Sequence, residues 1–318
     1  MKPDLHRTSL LPTIVLALTL AGCGADAGGG GDLSERSVRA VATTSVVADL
    51  VREVGGDRVE VIGLMGPGVD PHLYRASEGD VRRMMEADIV FFNGLHLEGR
   101  MGEIFEQMNS SGRPTVAVAE ATDRSSLLNP PEFEGAYDPH VWMDVGLWLR
   151  VVPYVGEALA ELDPVHAAEY RSRAAAYVDR LSQLDAYVRE QTGRLPEERR
   201  VLITAHDAFN YFGEAYGFEV RGLQGISTVA EAGTADVQEL AEFVAARRIP
   251  ALFIETSVSP RSIEAVQAAV RSRGFGVEVG GNLYSDALGG PGTGAETYEG
   301  MIRHNAETIV TALLRDVE

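Results

Sequence analysis

The sequence predicts an α/β protein of two lobes, each with a mainly parallel four-stranded sheet, joined by one long rigid backbone helix. Three observations carry that expectation. A chain of 318 residues is longer than one hydrophobic core usually serves. Eight short β-rich runs alternate with amphipathic stretches and fall into two sets of four, at 38–42, 59–64, 89–93 and 115–119, then 201–204, 219–223, 251–255 and 277–279. Between the sets, Tyr170, Ala174, Tyr177, Leu181, Leu184 and Val188 step by four and three along a single helical face. A helix over 164–191 would span roughly 40 Å at 1.5 Å per residue. Packed along both lobes, it would limit them to small rotations, where a Gly/Ser linker would let them swing.

Each segment is set by local patterning. Lys2 and Arg7 precede an apolar run at 10–20, the length of a signal-peptide core and too short to cross a bilayer as a mature helix. The run ends in Leu20-Ala21-Gly22-Cys23, which resembles the bacterial lipobox. Residues 1–22 therefore read as a lipoprotein signal peptide and Cys23, the only cysteine, as the acylated residue. Residues 23–37 are Gly-rich and polar and read as a flexible tether. The first lobe is expected over 38–162, the linking helix over 163–194 and the second lobe over 195–318. Asp163 is the expected N-cap and Pro164 the first helical residue, with Gly193 and Pro196 closing the element. Twenty-eight Lys+Arg against 47 Asp+Glu leave a net charge of -19, which disfavours nucleic acid and anionic lipid surfaces and suits a cationic ligand.

The chemistry gathers at strand ends. Asp70-Pro71-His72 and Asp138-Pro139-His140 repeat one pattern, an imidazole after a rigid proline with a carboxylate two positions upstream that can orient the ring. His206 comes directly after the apolar run 201–205, at the carboxyl end of a strand, where open α/β sheets place their ligands. Asp286 lies in a turn-rich stretch at 283–289 and offers an oxygen. Three imidazoles and one carboxylate form a suitable shell for a divalent transition metal. Glu255, at a strand end, is the main competitor of Asp286 as an oxygen ligand, and otherwise reads as a contact that supports His206 or Asp286 or as a hydrogen-bonding residue at the edge of the core. His96 and His304 lack the Asp-Pro context and read as loop surface and helix. Trp142, Phe209 and Tyr211 read as cleft-wall or core aromatics.

These residues give the chain a specific resemblance. It is similar to the cluster A-I, TroA-like substrate-binding lipoproteins of metal-ion ABC transporters, zinc/manganese type. The likeness runs through Asp70-Pro71-His72 with Tyr74, Asn93-Gly94-Leu95, Asp138-Pro139-His140-Val141-Trp142 and His206-Asp207-Ala208-Phe209. It continues through Gly222-Leu223-Gln224-Gly225-Ile226-Ser227-Thr228, Phe253-Ile254-Glu255 and Ser285-Asp286-Ala287-Leu288-Gly289. The resemblance implies a metal in the cleft between the lobes, with His72 and His140 from the first and His206 and Asp286 from the second.

The expected function is high-affinity capture of one divalent ion outside the cytoplasmic membrane and its delivery to an ABC permease. No Walker A pattern occurs, so the ATPase is expected as a separate subunit. The protein itself is expected to be a lipid-anchored monomer facing the periplasm or outer surface, and not an enzyme. The alternatives are a surface adhesin and, less favoured, a zinc hydrolase, which would need an open coordination position that four protein ligands close. Zinc is slightly preferred over manganese, with iron third. Zinc-specific relatives often carry a His-rich loop before the second Asp-Pro-His, and 121–137 contains no His. Manganese-specific relatives often replace the third His with Glu, and an imidazole-rich set favours Zn²⁺ over Mn²⁺. Free imidazole protonation places the expected loss of affinity toward and below about pH 6.5.

Overall fold

The computed structural model describes residues 1, 33, 35–133 and 135–315. The expected signal peptide, Cys23 and most of the tether thus lie outside the described residues. In chain order the elements are β1 (Val38–Ala42), α1 (Ser45–Gly55), β2 (Val59–Gly63), α2 (Glu78–Glu86), β3 (Ile89–Phe92), α3 (Gly102–Ser110), β4 (Thr115–Ala117), α4 (Val145–Leu162), α5 (Ala167–Thr192), β5 (Val201–His206), α6 (Asn210–Tyr216), β6 (Glu219–Gln224), α7 (Thr234–Arg247), β7 (Ala251–Glu255), α8 (Arg261–Ser272), β8 (Glu278–Leu283) and α9 (Tyr298–Leu313). All eight expected strands form, and every pairing among the described residues is parallel. Because the crossovers are helical, the inner strands β1, β3, β5 and β7 are covered and read as apolar runs, whereas β2, β6 and β8 are more exposed and more polar.

The first lobe holds one sheet in the order β2-β1-β3-β4. In the second lobe the ladders are two parallel pairs, β5 with β6 and β7 with β8, and β5 runs beside β7. At the carboxyl ends of that seam a side chain does the joining: the Glu255 carboxylate accepts from the His206 backbone N–H at 2.9 Å. The folded contacts begin ahead of the expected boundary at 38. Leu33 packs against the core, and Arg36 grips Asp88 through two bonds of 2.6 and 2.8 Å.

The long helix differs from its expected form at its start. Residues Pro164–His166 make a 3₁₀ turn, and α-helical bonding begins at Ala167. The Asp163 carboxylate does not cap backbone N–H groups. It accepts from Tyr170 Oη at 2.9 Å and lies 2.9 Å from His166 Nδ1 and 3.4 Å from Arg58 Nη2. Burial alone would raise its pKa, but these three partners hold it below the ordinary carboxylate range. The residue thereby ties the helix start to the first lobe.

All six positions of the expected apolar stripe are buried, and Thr192 extends it. The helix packs on α1 and α4 of the first lobe and on α6 and α9 of the second. Helix α4, a hydrophobic element with no counterpart among the expected ones, turns at Asp163 into α5 and lies antiparallel to it. Their close approach needs a small residue: a Cβ at Gly156 would sit 3.1 Å from the Ala174 methyl. On the surface Arg180 bridges the lobes, reaching Glu53 of α1 at 2.5 Å and Glu299 of α9 at 2.8 Å.

The core reflects this arrangement. One cluster lies in the outer half of the first lobe around Met84, Val90 and Met101, and another in the outer half of the second around Ile203, Val244 and Val266. A third, central cluster runs from Val47 and Leu50 through Trp142, Trp148 and the α5 stripe to Phe212, Tyr298 and Ile309. Both lobes thus share one apolar interior. Polar bonds cross it too: Tyr298 Oη donates to the Trp142 carbonyl at 2.8 Å, and Asp49 Oδ2 of α1 accepts from the Tyr298 N–H that starts α9 at 2.9 Å.

Asp49 yields a test of that central contact. Burial pushes its carboxyl up to about 6, against the pull of the Tyr298 N–H. Its folded pKa exceeds the unfolded one, so its contribution to stability is fully present below about pH 4 and is lost as pH rises through 6. Asp49→Asn, which keeps an acceptor without the charge, should stabilise the metal-free protein at pH 8 by on the order of 2 kcal/mol. Urea unfolding should show that gain shrinking to nothing near pH 4.

Candidate metal centre

The parallel sheets aim the carboxyl ends of their strands at the space between the lobes, and the site is built from residues at or beyond those ends. His72 lies in the loop between β2 and α2. His140 leads the 3₁₀ turn Val141–Met143 before α4. His206 is the last residue of β5. Asp286 lies just past β8, and Glu255 ends β7. All five are buried. At His206 the backbone is crowded: a Cβ at Gly222 of β6 would sit 2.5 Å from the Asp207 nitrogen, so glycine there lets β6 back the ligand-bearing end of β5.

His72, His140, His206 and Asp286 each offer one ligand-type atom, and these atoms all lie within 4.8 Å of one another. The Nε2 atoms of His72 and His140 are 3.3 Å apart. Asp286 Oδ1 is 3.4 Å from His140 Nε2, and its Oδ2 is 3.4 Å from His206 Nε2. Ligands about 2.0–2.1 Å from a common centre in a tetrahedron are separated by roughly 3.3–3.4 Å. The His72–His140 contact has that edge length, whereas the two Asp286 contacts run through different oxygens and the four ligand-type atoms together lie within 4.8 Å. His206 Nε2 and Asp286 Oδ1 have no hydrogen-bond partner among the described residues although both are buried, a costly state for polar atoms that coordination would relieve.

The outer contacts differ from ligand to ligand. Asp138 Oδ1 lies 2.7 Å from His140 Nδ1 and also accepts the His140 backbone N–H at 2.9 Å. Asp138 is itself held by Asn210 Nδ2 at 3.1 Å, and its carbonyl accepts from Tyr211 Oη at 2.9 Å. Glu255 Oε2 lies 2.6 Å from His206 Nδ1, so Glu255 touches both the ring and the backbone of that residue. Contacts of this kind fix the ring orientation and leave the opposite nitrogen, Nε2, facing the cluster, where it could coordinate a metal. The first Asp-Pro-His departs from the second. Asp70 accepts the His72 backbone N–H at 2.8 Å, but its other oxygen turns to Thr228 Oγ1 at 2.6 Å and not to the ring. Ser257 Oγ, which nothing in its sequence context marks, donates to Asp286 Oδ2 at 3.2 Å.

The remaining candidates stand apart. His96 is exposed in a loop with φ 65°, and His304 faces the Asn282 carbonyl from α9. Trp142 closes one wall, its ring 5.2 Å from that of His140 and its Nε1 donating to the Ser285 carbonyl at 2.9 Å. Phe209 and Tyr211 are buried beneath the site.

Opposite charges face one another within the cluster. Burial and the neighbouring imidazoles pull His72 down to about 3, although Asp286 opposes them. For His140 burial acts downward as well, but Asp138 and Asp286 outweigh it and raise the ring to about 9. His206 is likewise raised, by Glu255 and Asp286 against burial. Asp286 is held well below the ordinary carboxylate range by His206 and His140, against burial.

Comparison with known proteins gives a consistent result. Residues 40–312 match the family described as zinc-uptake complex component A, periplasmic (ZnuA). The chain is 51% identical over 275 residues to the zinc-binding protein TroA of Treponema pallidum, covering 86% of this chain and 88% of that one. It is 44% identical over 309 residues to the manganese-binding lipoprotein MntA of Bacillus subtilis, covering 96% and 99%. The solved structure of the periplasmic zinc-binding protein TroA superposes with a TM-score of 0.85 over 88% of this chain and 100% of that chain, at 50% identity.

The electrostatics of the cluster predict a pH dependence that extends above the range of free imidazole. An ion must expel the protons that Asp138 and Asp286 hold on His140, whose ring is raised to about 9, and those that Glu255 and Asp286 favour on His206, while burial holds His72 down to about 3. Apparent affinity should therefore keep climbing between pH 6.5 and 9, by up to about one decade per pH unit for each proton displaced. Competition titrations at four pH values would measure the slope, and a plateau above pH 6.5 would contradict it.

Proposed function

The chain belongs to the ZnuA family of periplasmic zinc-uptake components, and from that premise we propose that it captures one divalent transition metal in the interlobe cleft and hands it to an ABC permease. The family is one of transport binding proteins, not enzymes. The observation that carries the reading is the convergence of His72, His140, His206 and Asp286 in a buried cluster with both lobes contributing. We assign these four as the ligands and Glu255 as the residue that orients His206.

Zinc is the preferred cargo and manganese the second, with iron third. The zinc-binding relative at 51% identity and the manganese-binding one at 44% leave both in play. Three imidazoles against one carboxylate support zinc, because Mn²⁺ favours octahedral, oxygen-rich sites. Loading and release are governed by the division of ligands: separating the lobes leaves two ligands on each, and two hold an ion far more weakly than four. The shared core and α5 keep that separation small.

In this reading residues 1–22 direct export, Cys23 carries lipid, and the remaining chain divides into tether, first lobe, linking helix and second lobe at 23–37, 38–162, 163–194 and 195–318. No helix among the described residues is long and apolar enough to cross a membrane, which suits an anchor made by the lipid. The partners are a membrane permease with a separate ATPase subunit, and the binding protein acts as a monomer.

Two experiments test this. Metal-free protein titrated with Zn²⁺ or Mn²⁺ should bind one ion, with Zn²⁺ displacing Mn²⁺; His72→Ala, His140→Ala and His206→Ala should each lose at least about tenfold in affinity while His96→Ala loses none. Two equivalent sites, no site, or an equal loss at His96 would refute the assignment. Fractionation of cells expressing wild type and Cys23→Ser should find only the former in membranes, with unchanged metal affinity in the variant.

A further inference from the structure

The four ligands are not held equally well. His206 is fixed by its place in β5 and by Glu255, and His140 by Asp138, Asn210 and Tyr211. Asp286 receives Ser257, and its neighbour Ser285 is pinned by Trp142. The His72 ring has no carboxylate behind it. Its one polar ring contact among the described residues is the Nε2 atom of His140, a fellow ligand. What holds His72 is its backbone, and that backbone is tied across the cleft. One oxygen of Asp70 accepts the His72 N–H at 2.8 Å, and the other accepts the hydroxyl of Thr228, 158 residues away in the second lobe, at 2.6 Å. The same loop skirts the second lobe at two further points, where a Cβ on Gly68 would approach the Thr256 carbonyl to 3.3 Å and one on Gly290 would reach Pro67 at 3.9 Å. These distances mark where the two backbones run close together, with no polar bond described at either point.

The tie lies at the edge of the cleft. His72 is 4% exposed, against 0–1% for the other three ligands, and Leu73 and Val229, the residues next after His72 and Thr228, are 45% and 56% exposed. His72 is thus the most exposed of the four, in a loop that contributes to no strand or helix and is held at its flanks by Val69 and Tyr74 packed on the outer cluster of the first lobe. Thr228 belongs to the Gly222–Thr228 stretch, which contributes no metal ligand.

We propose that Thr228 is a positioning residue for metal retention: its hydroxyl, through Asp70, latches the His72 loop to the second lobe, and opening of that one hydrogen bond governs how fast the ion leaves. The proposal rests on metal capture at the His₃Asp cluster. Loss of the latch leaves all four ligands present, so the coordination should be unchanged when the loop is closed and the closed state less populated. A partly buried hydrogen bond to a carboxylate predicts a release rate raised roughly three- to tenfold.

The test uses the full chain from residue 24, as wild type, Thr228→Val and Thr228→Ser, loaded with Zn²⁺ and separately with Co²⁺. Release into excess EDTA is followed by stopped flow, with the Co²⁺ visible spectrum and the melting temperature recorded alongside. The expected result is faster release for Thr228→Val, restoration by Thr228→Ser, and the same Co²⁺ spectrum and melting temperature for all three. Release from Thr228→Val within twofold of wild type overturns the latch, as does failure of Thr228→Ser to restore it. A changed Co²⁺ spectrum in Thr228→Val also overturns it, since that would mark general disruption of the site. Wild-type protein that binds neither ion would refute metal capture itself, a result read before any variant is compared.

Discussion

The burial of one face of α5 in an interior shared by both lobes is the constraint on which the rest depends. Tyr170, Tyr177, Leu181, Leu184 and Val188 leave water only because α1 and α4 cover them from one side and α6 and α9 from the other. Removing either lobe would expose a stripe of large side chains, at roughly 25 cal/mol per Å². The lobes are therefore not two bodies on a hinge but two outer layers around a common core. The distances in the metal cluster inherit their definition from that packing, because the ligands come from sequence positions as far apart as 72 and 286.

Within that frame the site places an unusual amount of charge out of water. Asp138, Glu255 and Asp286 are buried beside three imidazoles, and unpaired carboxylates at such depth would be strongly disfavoured. The arrangement is tolerable because each carboxylate faces a ring nitrogen or a donor: Asp138 on His140, Glu255 on His206, and Asp286 between the two. The protons that settle this cluster are the ones a cation displaces. In the proposed reading the same contacts would make metal binding pH-dependent, and among the described residues they leave the His72 ring without a carboxylate partner.

Much of this was legible in the chain. Strand positions could be read because both faces of a parallel strand are covered, which concentrates apolar residues in short runs. The α5 stripe was legible because a helix lying between two bodies needs an apolar face of helical period, and all six residues named for it are buried. Helix α4 was harder: Pro153 lies inside it, and its exposed face at Arg150, Pro153, Tyr154, Glu157 and Glu161 includes a proline and an aromatic residue that weaken the polar signal. The two Asp-Pro-His motifs are identical as sequence yet differ in use, since the ring contact depends on which donors lie nearby: Asn210 and Tyr211 beside Asp138, Thr228 beside Asp70.

The sequence by itself determined the alternation of strands and helices, the linking helix and the residue types that converge on the cleft, because these are set by periodicity, by proline-fixed turns and by the chemistry of imidazole and carboxylate. Tertiary structure alone decided the 3.3–3.4 Å spacing within the cluster, the carboxylate behind each of two rings, the diversion of Asp163 from capping to Tyr170 and Arg58, and the tie between Asp70 and Thr228. That last tie joins residues 158 positions apart through a single hydrogen bond. Such bonds have no local period to betray them, and they exist only once both lobes have closed on one core.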